Sequence, residues 1–249
     1  DQDLSAKPLR GRFPVNKEQV FGYDVIILGD INPQFLGPGA FDTLRDFVRE
    51  AGGGLMMIAG TKFNPVEFRN TALETLLPIE LEGVQVPLRD IPLPNAFHPK
   101  LTLEGKKSTP IFRFDENEQD SIKVWNQLPG LYWMVAAPNI KSGATVFVEH
   151  PTRIVNGRKL PIIVMQRFGA GKIIFHATDE TWLWRQRVGD LYFGRYWIQA
   201  IRYLSRSRLL GQAKNAELTT DRVGYQRGAV VNLRSQIGRA PRKEQGWDS

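Results

Sequence analysis

"YDVIILGDINPQFLGPGAFDTLRDFVREAGGGLMMIAG", residues 23–60, is the stretch whose reading decides the fold. Val25 to Leu28 form a short, continuous, β-branched-rich run that stops at Gly29, the pattern of a strand covered on both faces by helices. Phe41, Leu44, Phe47, Val48 and Ala51 then recur at helical spacing with charges on the other face, and Gly52 to Gly54 end that helix. A second apolar run, Leu55 to Ile58, follows at once and breaks off at Ala59, Gly60 and Thr61. Strand, helix, strand with short links is a βαβ unit, which requires parallel strands and a crossover. Both strand ends, Gly29-Asp30 and Gly60-Thr61, therefore fall on the carboxyl rim of the sheet, where ligands bind in open α/β folds.

Upstream, residues 1–22 are polar and contain Pro8 and Pro14, so they read as a connecting arm. Downstream, "TALETLLPIEL" predicts a short helix ended by Pro78, and residues 83–110 are proline-rich and irregular. "DENEQDSIKVW" predicts another short helix. After it come the β-rich runs "LYWMVAAP", "ATVFVEH", "LPIIVMQRF" and "KIIFHAT". Asn156-Gly157 is the strongest short hairpin signal and "RFGAGKI" carries a second turn, so an antiparallel extension of the sheet is expected. From Asp190 to Arg208 a long amphipathic helix is expected to bury Phe193, Trp197, Ala200, Ile201 and Leu204. Beyond Gly211, alternating residues with glycine turns predict the start of a β-rich unit, and the division expected is 1–22, 23–210 and 211–249.

Composition limits the function classes. The chain has 249 residues, 42% apolar and 10% aromatic, enough to bury a substantial core. The net charge of +7 is spread along the sequence rather than gathered in one segment, so no nucleic-acid partner is expected. Cysteine is absent, which excludes disulfides, thiolate metal sites and a cysteine nucleophile. The three histidines, His98, His150 and His176, are far apart and form no HExxH pair, so neither a metal nor a cofactor is expected. No run of eighteen apolar residues occurs, and any membrane attachment would come from segments outside this chain. The chain looks like a piece of a longer protein.

"GAGK" at 169–172 is flanked by strand-like residues and lacks the spacing of a phosphate loop, so it reads as a hairpin turn. No G-x-S-x-G elbow is present. The richest stretch is "FHATDETWLWRQR", residues 175–187, which gathers His176, Thr178, Asp179, Glu180, Trp182, Trp184 and Arg185 at a strand end. An imidazole beside two carboxylates suits acid–base chemistry. The structural alternative has Asp179 or Thr181 capping a helical turn, Trp182 and Trp184 packing, and Arg185 pairing with a carboxylate.

"YDVIILGDINP", "GGGLMMIAGTKF", "LPGLYWMVAAPNIKSGATVFVEH", "RFGAGKIIFHATDETWLWR" and "GDLYFGRYWIQAIRYLS" in this order resemble the glutamine amidotransferase-like domain of large bacterial membrane-anchored proteins, often found beside von Willebrand factor A modules. The resemblance covers about residues 12–208. It implies an α/β domain with a mainly parallel sheet flanked by helices, related to class I glutamine amidotransferases and flavodoxin-like folds. It also implies that a strand and helix of the domain precede this segment. In the enzymes a strand-end turn carries a nucleophilic Cys, a glycine-rich loop helps form the oxyanion hole, and a late strand ends in a His-x-Glu pair. By that resemblance the Cys falls at Ala59 or Gly60, the oxyanion loop at Gly29-Asp30, and the pair at His176-Ala177-Thr178. Neither a methyl group nor a hydrogen can attack an amide carbon, and Thr61 offers only an unactivated hydroxyl.

The expected function is thus a non-catalytic amidotransferase-like module, a pseudoenzyme serving ligand binding or assembly within a membrane-anchored parent. Its partners would be the parent's other domains, including a von Willebrand factor A module. The candidate pocket comprises Gly29, Asp30, Ala59, Gly60, Thr61, His176, Thr178, Asp179, Glu180, Trp182 and Arg185. One alternative is a hydrolase using His176 with Asp179 or Glu180. Another is a carbohydrate or peptidoglycan-binding module using Trp182, Trp184 and Tyr192, since aromatic faces suit sugar rings.

Overall fold

A computed structural model describes residues 13, 16–37, 39–87, 95–188, 190–212, 216–220 and 233–237. The chain divides into two compact units, Asp1–Arg208 and Leu209–Ser249. In the first, β1 (Val25–Leu28), β2 (Gly54–Ile58), β3 (Lys100–Leu101), β4 (Ala144–Val155), β5 (Arg158–Phe168) and β6 (Gly171–His176) form one sheet in the order β1-β2-β6-β5-β4-β3. The helices are α1 (Lys17–Phe21), α2 (Ala40–Arg49), α3 (Ala72–Leu76), α4 (Leu103–Lys107), α5 (Glu118–Gln127), α6 (Arg185–Val188) and α7 (Asp190–Gln212). In the second unit β7 (Ala216–Thr220) and β8 (Leu233–Ile237) pair antiparallel, and the rest of the β-rich unit expected there lies outside the described residues.

The α/β class holds, but the sheet is mixed rather than mainly parallel. β1–β2 and β2–β6 are parallel, whereas β6–β5, β5–β4 and β4–β3 are antiparallel. The reason is loop length. Asn156-Gly157, both with positive φ, and the Gly169-Ala170 turn are too short for a crossover, so β4, β5 and β6 must reverse direction. The link from β1 through α2 is long enough to return a parallel neighbour, and so is the path from β2 to β6.

The glycine run at 52–54 shows how the sheet acquires its two layers. A Cβ on Gly53 would lie 2.1 Å from the ring of Phe47 in α2, and one on Gly54 would lie 2.6 Å from Leu204 in α7. Adjacent strand residues point to opposite faces, so the two helices cover opposite faces of β2 at close range. β2 and β6 between them are almost wholly buried.

Several local expectations change. The end of the arm is helix α1, capped by Asn16 and burying Val20, while most of the residues before it lie outside those described. Within 83–110, the short strand β3 and α4 are ordered elements, and residues 88–94 lie outside the described set. "LYWMVAAP" is extended but joins no long ladder: Leu131 bridges Phe97, Ala136 bridges Gln85, and just beyond the stretch Ile140 bridges Ile79. Its hydrogen bonds go to successive loops instead of one strand. On α7 the buried line is Tyr196, Ala200 and Leu204, with Phe193 and Trp197 only partly buried and Ile201 40% exposed. The line at i, i+4, i+8 is rotated by one residue from the line read through Trp197 and Ile201, because one step turns the helix by about 100°. Among the described residues no helix is long and apolar enough to cross a membrane.

Candidate functional site

β1, β2 and β6 are neighbours running the same way, so their carboxyl ends lie side by side. The Ala59 amide donates to the His176 carbonyl at 2.8 Å, continuing the ladder past the last strand residue. Asp30 leaves β1 and turns its carboxylate into the loop that follows β2. There it accepts the backbone amides of Lys62 (3.0 Å), Phe63 (2.7 Å) and Asn64 (2.9 Å). Successive amides converging on one point form an anion-binding nest. Here the chain's own carboxylate occupies it.

Two further contacts lock that loop. The Asn64 side chain donates to the Ile58 carbonyl at 2.7 Å, and the Gly60 amide donates to the Asn64 carbonyl at 2.9 Å. A Cβ on Gly60 would stand 2.0–2.2 Å from the Asp30 side chain, so position 60 accepts no larger residue while Asp30 is in place. Ala59 is fully buried, Gly29 lies exposed at the end of β1, and Thr61 is half-buried on the turn.

His176 ends β6 inside the core at 1% exposure. Its Nε2 is 2.7 Å from the hydroxyl of Tyr196, and its Nδ1 has no protein partner. Burial pushes the imidazole down to about 3, so it is neutral at physiological pH, and the same burial raises the Tyr196 phenol. Because the folded state resists protonation while an unfolded histidine titrates near 6.5, this group's contribution is complete above that value. It is lost progressively as pH falls toward 3, with a limiting slope of about 1.4 kcal/mol per pH unit. Urea titrations between pH 7 and 4 are expected to show that loss, and His176→Gln to flatten it.

The residues after β6 separate in role. Thr178, buried, accepts the Glu180 amide on its hydroxyl at 3.1 Å and so caps the 3-10 turn Glu180–Trp184, for which Asp179 makes no side-chain cap. Glu180 is 7% exposed and accepts the amides of Tyr132 (2.6 Å) and Trp133 (3.1 Å). Burial raises its carboxyl, while those two amides oppose the shift. Asp179 is raised first by desolvation and further by the nearby charge of Asp30, with the Trp133 side chain as a hydrogen-bond donor opposing it. Trp184 is core, set edge-on to Tyr196 at 5.2 Å, whereas Trp182 is 52% exposed. Arg185 is exposed, pairs with Asp190 and lies over the Phe193 ring. Tyr192 packs against Phe114. Of the three aromatics expected to meet a sugar, Trp184 is therefore unavailable.

The "GAGK" segment is a hairpin turn, and Lys172 reaches back to the Tyr203 carbonyl at 3.2 Å, lying over that ring. Among the described residues no group of three or more histidine or carboxylate side chains is placed to hold a metal ion.

A large cavity lies elsewhere, where the antiparallel half meets the 131–136 segment. A cleft of about 1010 Å³ opens between Phe97, Tyr132, Trp133 and the irregular part of β4 at His150–Arg153. β4 is bulged between Val146 and Ile154, which takes these residues out of the regular ladder. Sequence reasoning missed this cleft and also Tyr196 and Asn64. One signal for it exists in the sequence: of two His-Pro dipeptides, 98–99 and 150–151, His98, His150 and Pro151 line the cleft.

No family model matches the sequence, and no curated protein is significantly similar to it. In fold the chain is similar to Cytoplasmic Protein STM3548 from Salmonella typhimurium, with a TM-score of 0.51 and 17% identity over 77% of this chain and 76% of that one. It is likewise similar to Cytoplasmic Protein STM1381 from Salmonella typhimurium LT2, with a TM-score of 0.52 and 20% identity over 78% and 77%. At such identities the likeness is one of fold. A β-galactosidase from Bacillus circulans sp. alkalophilus aligns with 80% of this chain and 25% of its own at a TM-score of 0.37, too loosely to bear on function.

Proposed function

We propose that this chain is a non-catalytic, amidotransferase-like module that binds a ligand or partner within a larger, membrane-associated bacterial protein, its neighbours there including a von Willebrand factor A module. The observation that carries this reading is the occupied nest. Where acyl-transfer chemistry needs a nucleophile facing amides left open for an oxyanion, this turn presents a buried methyl at Ala59, while Asp30 fills the amides of Lys62, Phe63 and Asn64. The remaining groups argue the same way. His176 is bonded to Tyr196 in the core, and Glu180 is engaged by two backbone amides, so neither is free to serve a reacting group.

The purified protein is expected to release no ammonia from glutamine. Ala59→Cys is expected to remain inactive as well, because the imidazole that would have to activate a thiol is buried in the core and already paired to Tyr196. A coupled ammonia assay checks both. Turnover by the unmodified protein that disappears in His176→Ala would overturn the reading.

A further inference from the structure

The cleft at the antiparallel end has three properties that together define a ligand. The first is its wall. Tyr132 is 39% exposed, and Trp133 and Phe97 are half-buried, so aromatic surface is available to a flat ring. The pair at 132–133 is held rigidly, since the buried Glu180 carboxylate accepts both backbone amides. Glu180 is thus a positioning residue that ties the sheet rim to the cleft.

The second property is charge. Lys100 and Arg153 both line the cleft, and neither has a carboxylate partner among the described residues. Among the described residues the lining contains no Asp or Glu, and the carboxylate nearest in register to Lys100, that of Glu149, is taken by Lys159 at 2.8 Å. Two cations lining one cleft favour an anionic ligand there.

The third is directed polar capacity. His150 is buried with its ring 4.4 Å from that of Phe97, and its Nδ1 accepts the amides of Thr152 (3.2 Å) and Arg153 (2.9 Å). That arrangement places the proton on Nε2, leaving an imidazole N–H donor at the cleft. Burial and the Arg153 charge both lower this histidine, favouring the neutral form. Gln85 and Asn95, exposed on the lining, add amide groups of the kind that bridge adjacent hydroxyls.

Aromatic wall, unpaired cations and amide side chains in one cleft suit a ring that carries both hydroxyls and a negative charge. Its volume of about 1010 Å³ stands at the upper end for small-molecule sites and leaves room for more than one ring. We propose that this cleft binds an acidic oligosaccharide, its carboxylates met by Lys100 and Arg153 and its ring faces by Tyr132 and Trp133. The assignment rests on the binding-module reading and moves its ligand from the carboxyl rim, which Asp30 closes, to this cleft.

Isothermal titration of the full chain with trigalacturonate, a probe of this class, tests it. Saturable binding is expected, weakened about tenfold by Arg153→Ala or Lys100→Ala, each loss being that of one charge-assisted contact. Maltotriose, a neutral sugar of the same ring count, is expected to bind at least about tenfold more weakly, and it should be indifferent to those two substitutions. Trp133→Phe keeps a ring in the wall and should retain most of the affinity, and Arg202→Ala on α7 should change nothing. Equal affinity for the acidic and neutral sugars, unaltered binding in both cation variants, or no saturable binding would overturn the proposal. So would competition by inorganic phosphate or benzoate as effective as by the sugar. If binding fails while the ammonia assay stays silent, this assignment alone is wrong; ammonia release would instead remove the reading beneath it.

Discussion

Gly60→Ala is expected to destabilise the protein by about 3 kcal/mol, at the upper end of overpacking costs, and most of that penalty should vanish in an Asp30→Gly background, which removes the Asp30 Cβ as well as the carboxylate. The alanine methyl would sit 2.0–2.2 Å from Asp30, well inside contact distance, so either the β2 turn or the carboxylate must move. Moving the carboxylate breaks its three amide bonds, which are the loop's principal tie to β1. Asp30→Gly alone should cost about 2 kcal/mol, because charge-assisted bonds are lost and the amide of buried Asn64 goes unpaired, while those of exposed Lys62 and half-buried Phe63 regain water. With the side chain gone, the added methyl at position 60 has space. The double variant should therefore be about 2 kcal/mol more stable than the sum of the singles predicts. Urea unfolding of the four proteins closes the cycle, and simple additivity would show that the carboxylate does not fill this turn.

The second large effect is expected at Tyr196. It is fully buried between Phe112, Trp184 and His176, so Tyr196→Ala should cost about 3–5 kcal/mol through the cavity it leaves. In a domain of this size that corresponds to a fall in Tm of roughly 10 °C. Tyr196→Phe keeps the ring but leaves the Nε2 of a buried imidazole without its hydroxyl partner, at a cost of about 1–2 kcal/mol. Trp197→Ala should be milder than Tyr196→Ala, since the indole is only partly buried. Calorimetric melting ranks the three. A Trp197→Ala loss equal to that of Tyr196→Ala would mean that α7 presents the other face to the sheet.

The candidate rim illustrates how residue type and residue role part company. His176, Asp179 and Glu180 carry acid–base side chains in a short stretch at a strand end, and nothing in their spacing distinguishes a catalytic cluster from a structural one. What separates them is the third dimension: His176 turns inward to Tyr196, twenty residues later, and Glu180 reaches back to amides nearly fifty residues earlier. The cleft was harder still to read. Its cations come from β3 and the bulge of β4, its aromatic wall from the 131–136 segment, and no periodicity links them.

Local pattern alone determined the α/β class, the parallel pairing of the first two strands, the hairpins at Asn156-Gly157 and Gly169-Ala170, and the absence of a cysteine nucleophile. These depend on apolar spacing, glycine conformations and composition, all of which act within a few residues. Tertiary structure decided that the sheet is mixed, that Tyr196 rather than Trp197 is the buried anchor of α7, that Asp30 seals the turn after β2, and that open space lies at the antiparallel end. Each of these depends on which distant segments meet, and such meetings are set by packing and backbone hydrogen bonding summed over the whole unit, not by any neighbouring run of residues.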